Sequence, residues 1–163
     1  MRFALVVFAA FVFGSFAHAQ GISAPQPTLP QSPLTIDTGE DYHRFVVELA
    51  DDGYEQQRGL MFRQSVGPNE GMLFDFGRDS ERAFWMRNTL VSLDMLFVRS
   101  DGVVHRIAAN TIPLSNARVP SFGPVRAVLE LAGGRAAELG IEPGDIVRHQ
   151  IFGNNPPLKL VGR

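Results

Sequence analysis

The densest group of chemistry-bearing residues is Phe84-Trp85-Met86-Arg87-Asn88-Thr89. In extended backbone successive side chains leave opposite faces, so Phe84, Met86 and Asn88 share one face and Trp85, Arg87 and Thr89 the other. An aromatic plane beside a guanidinium suits a sugar ring or a planar anion. With Arg58 and Arg63 added, the candidate ligand-binding surface is Arg58, Arg63, Trp85, Arg87 and Asn88. The competing reading puts Trp85 in the core, where the lone tryptophan of a small domain is usually found.

Two carboxylates carry the main alternative. Glu130 lies between Leu129 and Leu131, in a stretch that reads as a strand. A carboxylate in such a setting must pair, most naturally with arginine, or shift its pKa. Asp94 and Glu130 could steady an arginine fork around an anion, or form outward salt bridges worth under about 1 kcal/mol. They could also supply the two carboxylates of a hydrolase, with Asp75 and Asp145 as further candidates. Met61, Met72, Met86 and Met95 are thioethers of the kind that bind Cu(I). Each sits amid Leu, Phe or Trp, where methionine fills gaps, and His43, His105 and His149 fall on separate strands, so no metal is expected. The chain has no His-Glu-x-x-His, Gly-x-Ser-x-Gly, Gly-x-Gly-x-x-Gly or Walker loop, and Ser121 in Pro120-Ser121-Phe122-Gly123 reads as loop. A non-catalytic role is favoured, and no cofactor is expected.

Composition bounds the scaffold that must position these side chains. The chain has 163 residues, 45% of them hydrophobic, which suits one domain with one core. A formal net charge of −2 argues against a basic nucleic-acid-binding face. The absence of cysteine removes disulfides, thiolate zinc sites, iron–sulfur clusters and cysteine nucleophiles.

Met1-Arg2, the apolar run Phe3 to Phe16 and Ala17-His18-Ala19 form a cleavable signal peptide over residues 1–19. The protein is therefore expected to be exported, to the periplasm or the medium. No stable membrane anchor is expected after cleavage, and no cysteine follows the run to carry a lipid. Residues 20–41 contain Pro25, Pro27, Pro30 and Pro33 among Gln, Ser and Thr, and read as a disordered leader. The folded domain is then expected over residues 42–163.

From His43 the chain alternates, with Phe45, Val47 and Leu49 on one face of a half-buried strand. Asp52-Gly53-Tyr54-Glu55 has capping-box spacing and predicts a short helix stopping near Gly59. Short apolar stretches at Met72–Phe76, Ala83–Met86, Leu93–Val98, Val103–Ala108, Val125–Leu131 and Ile146–Phe152 read as strands. Asp101-Gly102 marks a hairpin, and Arg135–Leu139 a second brief helix ended by Gly140. The fold class is mainly β (α+β): six to seven short strands and two short helices in a barrel-like or sandwich sheet.

Several blocks carry a resemblance. They are Arg58-Gly59-Leu60-Met61-x-Arg63, Gly71-Met72-Leu73-Phe74, Phe84-Trp85-Met86-x-Asn88-Thr89, Leu93-Asp94-x-x-Phe97, Val128-Leu129-Glu130 and Gly140-Ile141-x-x-Gly144-Asp145. In that order the chain resembles the domain of unknown function 192 family, also called uncharacterised protein family 0127. The resemblance implies a small mainly-β fold and frequent export, with no reaction attached. The function expected is binding of a small ligand or cell-envelope component by an exported domain. The alternatives are an envelope hydrolase using Asp94 and Glu130, and a structural partner of another exported protein.

Overall fold

The computed structural model describes residues 23–154; the signal-peptide reading of residues 1–19 lies outside them. The strands are β1 (Gln31–Asp37), β2 (Tyr42–Ala50), β3 (Glu70–Phe84), β4 (Leu93–Val98), β5 (Val104–Ala108), β6 (Val119–Ala132) and β7 (Ile146–Arg148). Two short helices, α1 (Gly53–Arg58) and α2 (Arg135–Glu138), and a 3₁₀ turn at Gln150–Phe152 complete the described elements. The seven strands form one sheet in the order β5-β4-β6-β3-β2-β1-β7. All pairings are antiparallel except β2 with β3. The sheet curls into a half-barrel, and its edges meet at one corner through the Val103–Ile146 bridge. This is the expected mainly-β single domain.

The curl gives the sheet two unequal faces. Leu34, Ile36, Phe45, Val47, Leu73, Leu96, Leu129, Leu131 and Val147 form the inner core, drawn from nearly every strand. The outer face carries a second cluster from the central strands, Met72, Phe74, Met95, Phe97 and Val128, roofed by Leu60 and Met86. β4 is therefore buried along its whole length, which explains its unbroken apolar run.

Several expected boundaries need correction. Residues 31–37 belong to the sheet, not to a disordered leader, because Leu34 and Ile36 alternate into the inner core at 2% and 0% exposure. Pro33 is tolerated there: the N–H of its partner Val46 donates to Asn69 on the β3 side. The Pro33–Val46 pair thus exchanges no ladder bond, and the missing proline donor costs none. Gln26 is also buried, its Nε2 donating to the Gly59 carbonyl at 2.9 Å. The domain thus begins well before residue 42.

The stretches 72–76 and 83–84 are joined in one bulged strand, β3, with register shifts between Asp75 and Ser80 and between Glu81 and Ala83, and the expected strand at 83–86 stops at Phe84. Its partner β6 takes in Pro120–Gly123, expected to be loop. The last strand stops at Arg148, before the 3₁₀ turn.

Candidate functional site

On the outer face, α1, the far half of β3 and β6 enclose a cavity of about 640 Å³, a volume suited to a small molecule. Its floor is formed by Leu60, Met61, Phe74, Thr89 and Glu130, all buried, and its rim by exposed Gln57, Glu81 and Trp85. α1 forms one wall. Asp52 caps it, its Oδ1 accepting from the Tyr54 and Glu55 N–H groups at 2.8 Å each. Glu55 reaches back to the Asp51 N–H at 3.2 Å, one residue earlier than a capping box requires. Gln56 ties the helix to β3, donating to the Asp75 carbonyl at 2.8 Å. Gly59 ends α1 at φ +47°, with the Phe74 ring 3.0 Å from where a Cβ would stand. A side chain there would shift the turn that places Leu60 and Met61 at the cavity floor.

Glu130 is the chemical anomaly of this site. In register it lies between Met72 and Met95, both fully buried, and it is itself only 4% exposed. Among the described residues nothing hydrogen-bonds or pairs with its carboxyl, and burial raises its pKa from 4.5 to about 8. At neutral pH it is therefore mostly the uncharged acid, able to donate one hydrogen bond.

Two arginines line the same cavity, Arg58 and Arg82. Arg58 donates to the Tyr54 hydroxyl at 3.1 Å and to the Ala24 carbonyl at 2.6 Å. Arg82 stacks over Phe76, 4.2 Å from the ring centroid, and burial, helped by Arg78, lowers its pKa. Among the described residues neither guanidinium meets a carboxylate, and the Nε of each is buried without a partner. Ser121 supports Arg82 from behind, accepting its backbone N–H at 2.9 Å and donating to the Gly123 carbonyl at 2.6 Å. Phe84 meets Phe74 edge to face at 5.1 Å and completes an aromatic wall with Phe76 and Trp85.

Of the residues singled out in the sequence, Arg58, Trp85 and Glu130 come together here. Trp85 is 45% exposed, so the core reading fails for it. The alternation behind that surface holds through buried Met86 and exposed Arg87, then breaks where Asn88 turns at φ 59° and buried Thr89 follows. Arg87 stacks on Trp85 at 5.7 Å outside the cavity lining, and Asn88 points its amide at the Met61 sulfur, 3.8 Å away. Arg63 is engaged elsewhere, paired with Glu48 at 2.9 Å, and Glu48 also accepts the Leu29 N–H at 2.8 Å. Arg82 was missed by the sequence reading. Its signal was an arginine two residues before Phe84, on the apolar side of a strand.

The carboxylate pair expected of a hydrolase does not form. Asp94 pairs with Leu131 and Met95 with Glu130, so Asp94 and Glu130 leave opposite faces of the sheet. Asp94 is saturated instead, accepting the N–H groups of Asn110, Gly134 and Ala136 at 2.7, 3.0 and 2.8 Å. Asp75 is held by Arg126 through two 3.0 Å bonds, and Asp145 accepts the Glu142 N–H.

A second arrangement imitates catalysis. Ser32 Oγ lies 2.7 Å from His149 Nε2, but His149 Nδ1 accepts the Ile151 N–H at 3.3 Å. The Nε2 must then carry the proton and donate to Ser32, the reverse of what activating a serine requires. Burial lowers the His149 pKa, which keeps the ring neutral, so the pair is structural.

Residues 34–149 match the family described as DUF192, Uncharacterized ACR. A protein of unknown function from Novosphingobium aromaticivorans DSM 12444 is 44% identical, with a TM-score of 0.73 over 77% of this chain and 91% of that one. A protein from Sinorhizobium meliloti 1021, provisionally labelled a transcription regulator, is 38% identical, with a TM-score of 0.75 over 77% of this chain and 98% of that one. No curated protein matches the chain.

Proposed function

The chain belongs to the uncharacterized DUF192 family, and from that premise we propose that it is an exported, non-catalytic domain that binds a small ligand in the outer-face cavity. One observation carries the reading: Glu130 sits at the cavity floor, and among the described residues its carboxyl has no partner. Structural carboxylates in this molecule are saturated, as Asp94 and Asp75 are. A costly group left open toward a cavity is what a binding site keeps. Catalysis has less support, because among the described residues the other carboxylate lining the cavity, Glu81, is exposed at the rim.

A nucleic-acid role, as the Sinorhizobium label would suggest, finds no counterpart in the described residues: the helices have six and four residues, too short for a recognition helix. The signal-like residues 1–19 support export, and mature protein starting at Gln20 is the outcome expected from N-terminal mass spectrometry. For binding, the test is a thermal-shift screen against sugars, nucleotides, organic acids and divalent metals, repeated on Trp85→Ala and Glu130→Gln. Responses lost or altered in both variants support the cavity. Responses that survive both unchanged place binding elsewhere and overturn the reading.

A further inference from the structure

The cavity has a polarity that defines what would fill it. Its charged lining residues are Arg58, Arg82, Glu81 and Glu130. Glu81 is exposed at the rim, and among the described residues neither arginine is paired with a carboxylate. Two guanidiniums lining one cavity without a protein carboxylate call for an anionic partner, and a ligand carboxylate matches their planar fork. The lining also has an apolar side, with Phe76 and Phe84. At the floor stands the unpartnered Glu130, flanked by Met72 and Met95. Burial keeps that acid protonated near neutral pH, so it offers a hydrogen rather than a charge.

We infer that the cavity takes an organic carboxylate with an apolar body and an oxygen acceptor at its buried end. The carboxylate lies against Arg58 and Arg82, the body against Phe76 and Phe84, and the far oxygen accepts from Glu130. This assignment rests on the binding reading above and narrows it to one chemical class. A primary amine of the same shape is disfavoured, since it would approach two guanidiniums and leave their donors unmet.

Three six-carbon probes test it: hexanoate, its ω-hydroxy analogue and hexylamine. Binding is read by calorimetry and by the fluorescence of Trp85, the chain's one tryptophan, which stands at the rim. The ω-hydroxy acid should bind tightest, roughly three- to tenfold tighter than hexanoate. Hexylamine should bind at least about tenfold more weakly than hexanoate. Arg58→Gln and Arg82→Gln, tested singly and together with melting temperatures as fold controls, should weaken both acids and spare the amine. Glu130→Leu should erase the advantage of the hydroxyl without weakening hexanoate.

The assignment is overturned if hexylamine binds as tightly as the acids, if the hydroxyl advantage survives Glu130→Leu, or if no probe binds. Amine binding that disappears in calorimetry on Trp85→Ala would refute the carboxylate class and leave the cavity as a binding site. Probe binding indifferent to both Trp85→Ala and Glu130→Leu would refute the cavity reading itself.

Discussion

Asp94 and Glu130 are both buried carboxylates on neighbouring strands, one register position apart, yet they occupy opposite sides of the sheet and opposite chemical situations. Asp94 accepts three backbone N–H groups and fastens the turn into α2, so its charge is spent holding chain together. Glu130 accepts none and borders a cavity. Burial by itself therefore does not mark a functional group. Hydrogen-bond accounting separates the two, because a saturated buried carboxylate stabilises the fold while an open one costs stability.

The largest expected effect breaks the saturated side. Asp94→Ala leaves three backbone donors without their acceptor and should cost about 3–5 kcal/mol in urea unfolding. A loss under about 1 kcal/mol would mean that water or a rearranged turn replaces the carboxylate, and the contrast would weaken. On the same inner side, Ile36→Ala should cost about 2–4 kcal/mol by opening a cavity, whereas a disordered segment would show no change.

The opposite sign is expected on the open side. Glu130→Met replaces a lone buried acid by an apolar side chain of similar length and should stabilise the unliganded protein by about 1–3 kcal/mol. The effect also depends on pH. The folded protein holds the Glu130 proton up to about 8, whereas the unfolded chain releases it near 4.5. Between those values the unfolded state binds fewer protons, so the Glu130 contribution to stability is greatest below 4.5 and is lost as pH rises through about 8. The advantage of the Met variant over wild type should accordingly widen across that window and level off above it. A constant difference from acid to alkaline pH would show that Glu130 titrates alike in the folded and unfolded states.

The smallest stability effect sharpens the same contrast at the rim. Trp85→Ala should cost under about 1 kcal/mol, since the ring is half-exposed, while ligand response falls. A loss of several kcal/mol would return Trp85 to the core.

Local patterns carried much of the fold. The alternation of Phe45, Val47 and Leu49, the Asp52 cap and the Asp101-Gly102 hairpin all stand where their spacing placed them. β1 was hidden because Pro33 reads as a strand breaker, while Leu34 and Ile36 alone make a short alternation. Only a partner strand whose ladder skips Pro33 makes that segment a strand. β3 was split because its bulged middle, Gly77-Arg78-Asp79-Ser80, has turn composition.

The site divides along the same line. Residue type and period determined that Glu130 sits among apolar neighbours, because side-chain direction in a strand depends only on local backbone. Which of those directions faces a covered surface is set by chains distant in sequence. Arg58 and Arg63 are five residues apart, yet one lines the cavity and the other is neutralised by Glu48. Asp94 and Glu130 looked alike as acids amid apolar runs, and strand register alone put one under three amides and the other beneath an open cavity. Pairing partners and register are long-range choices made by the whole sheet, so the tertiary structure alone decided which polar groups were satisfied and which were left for a ligand.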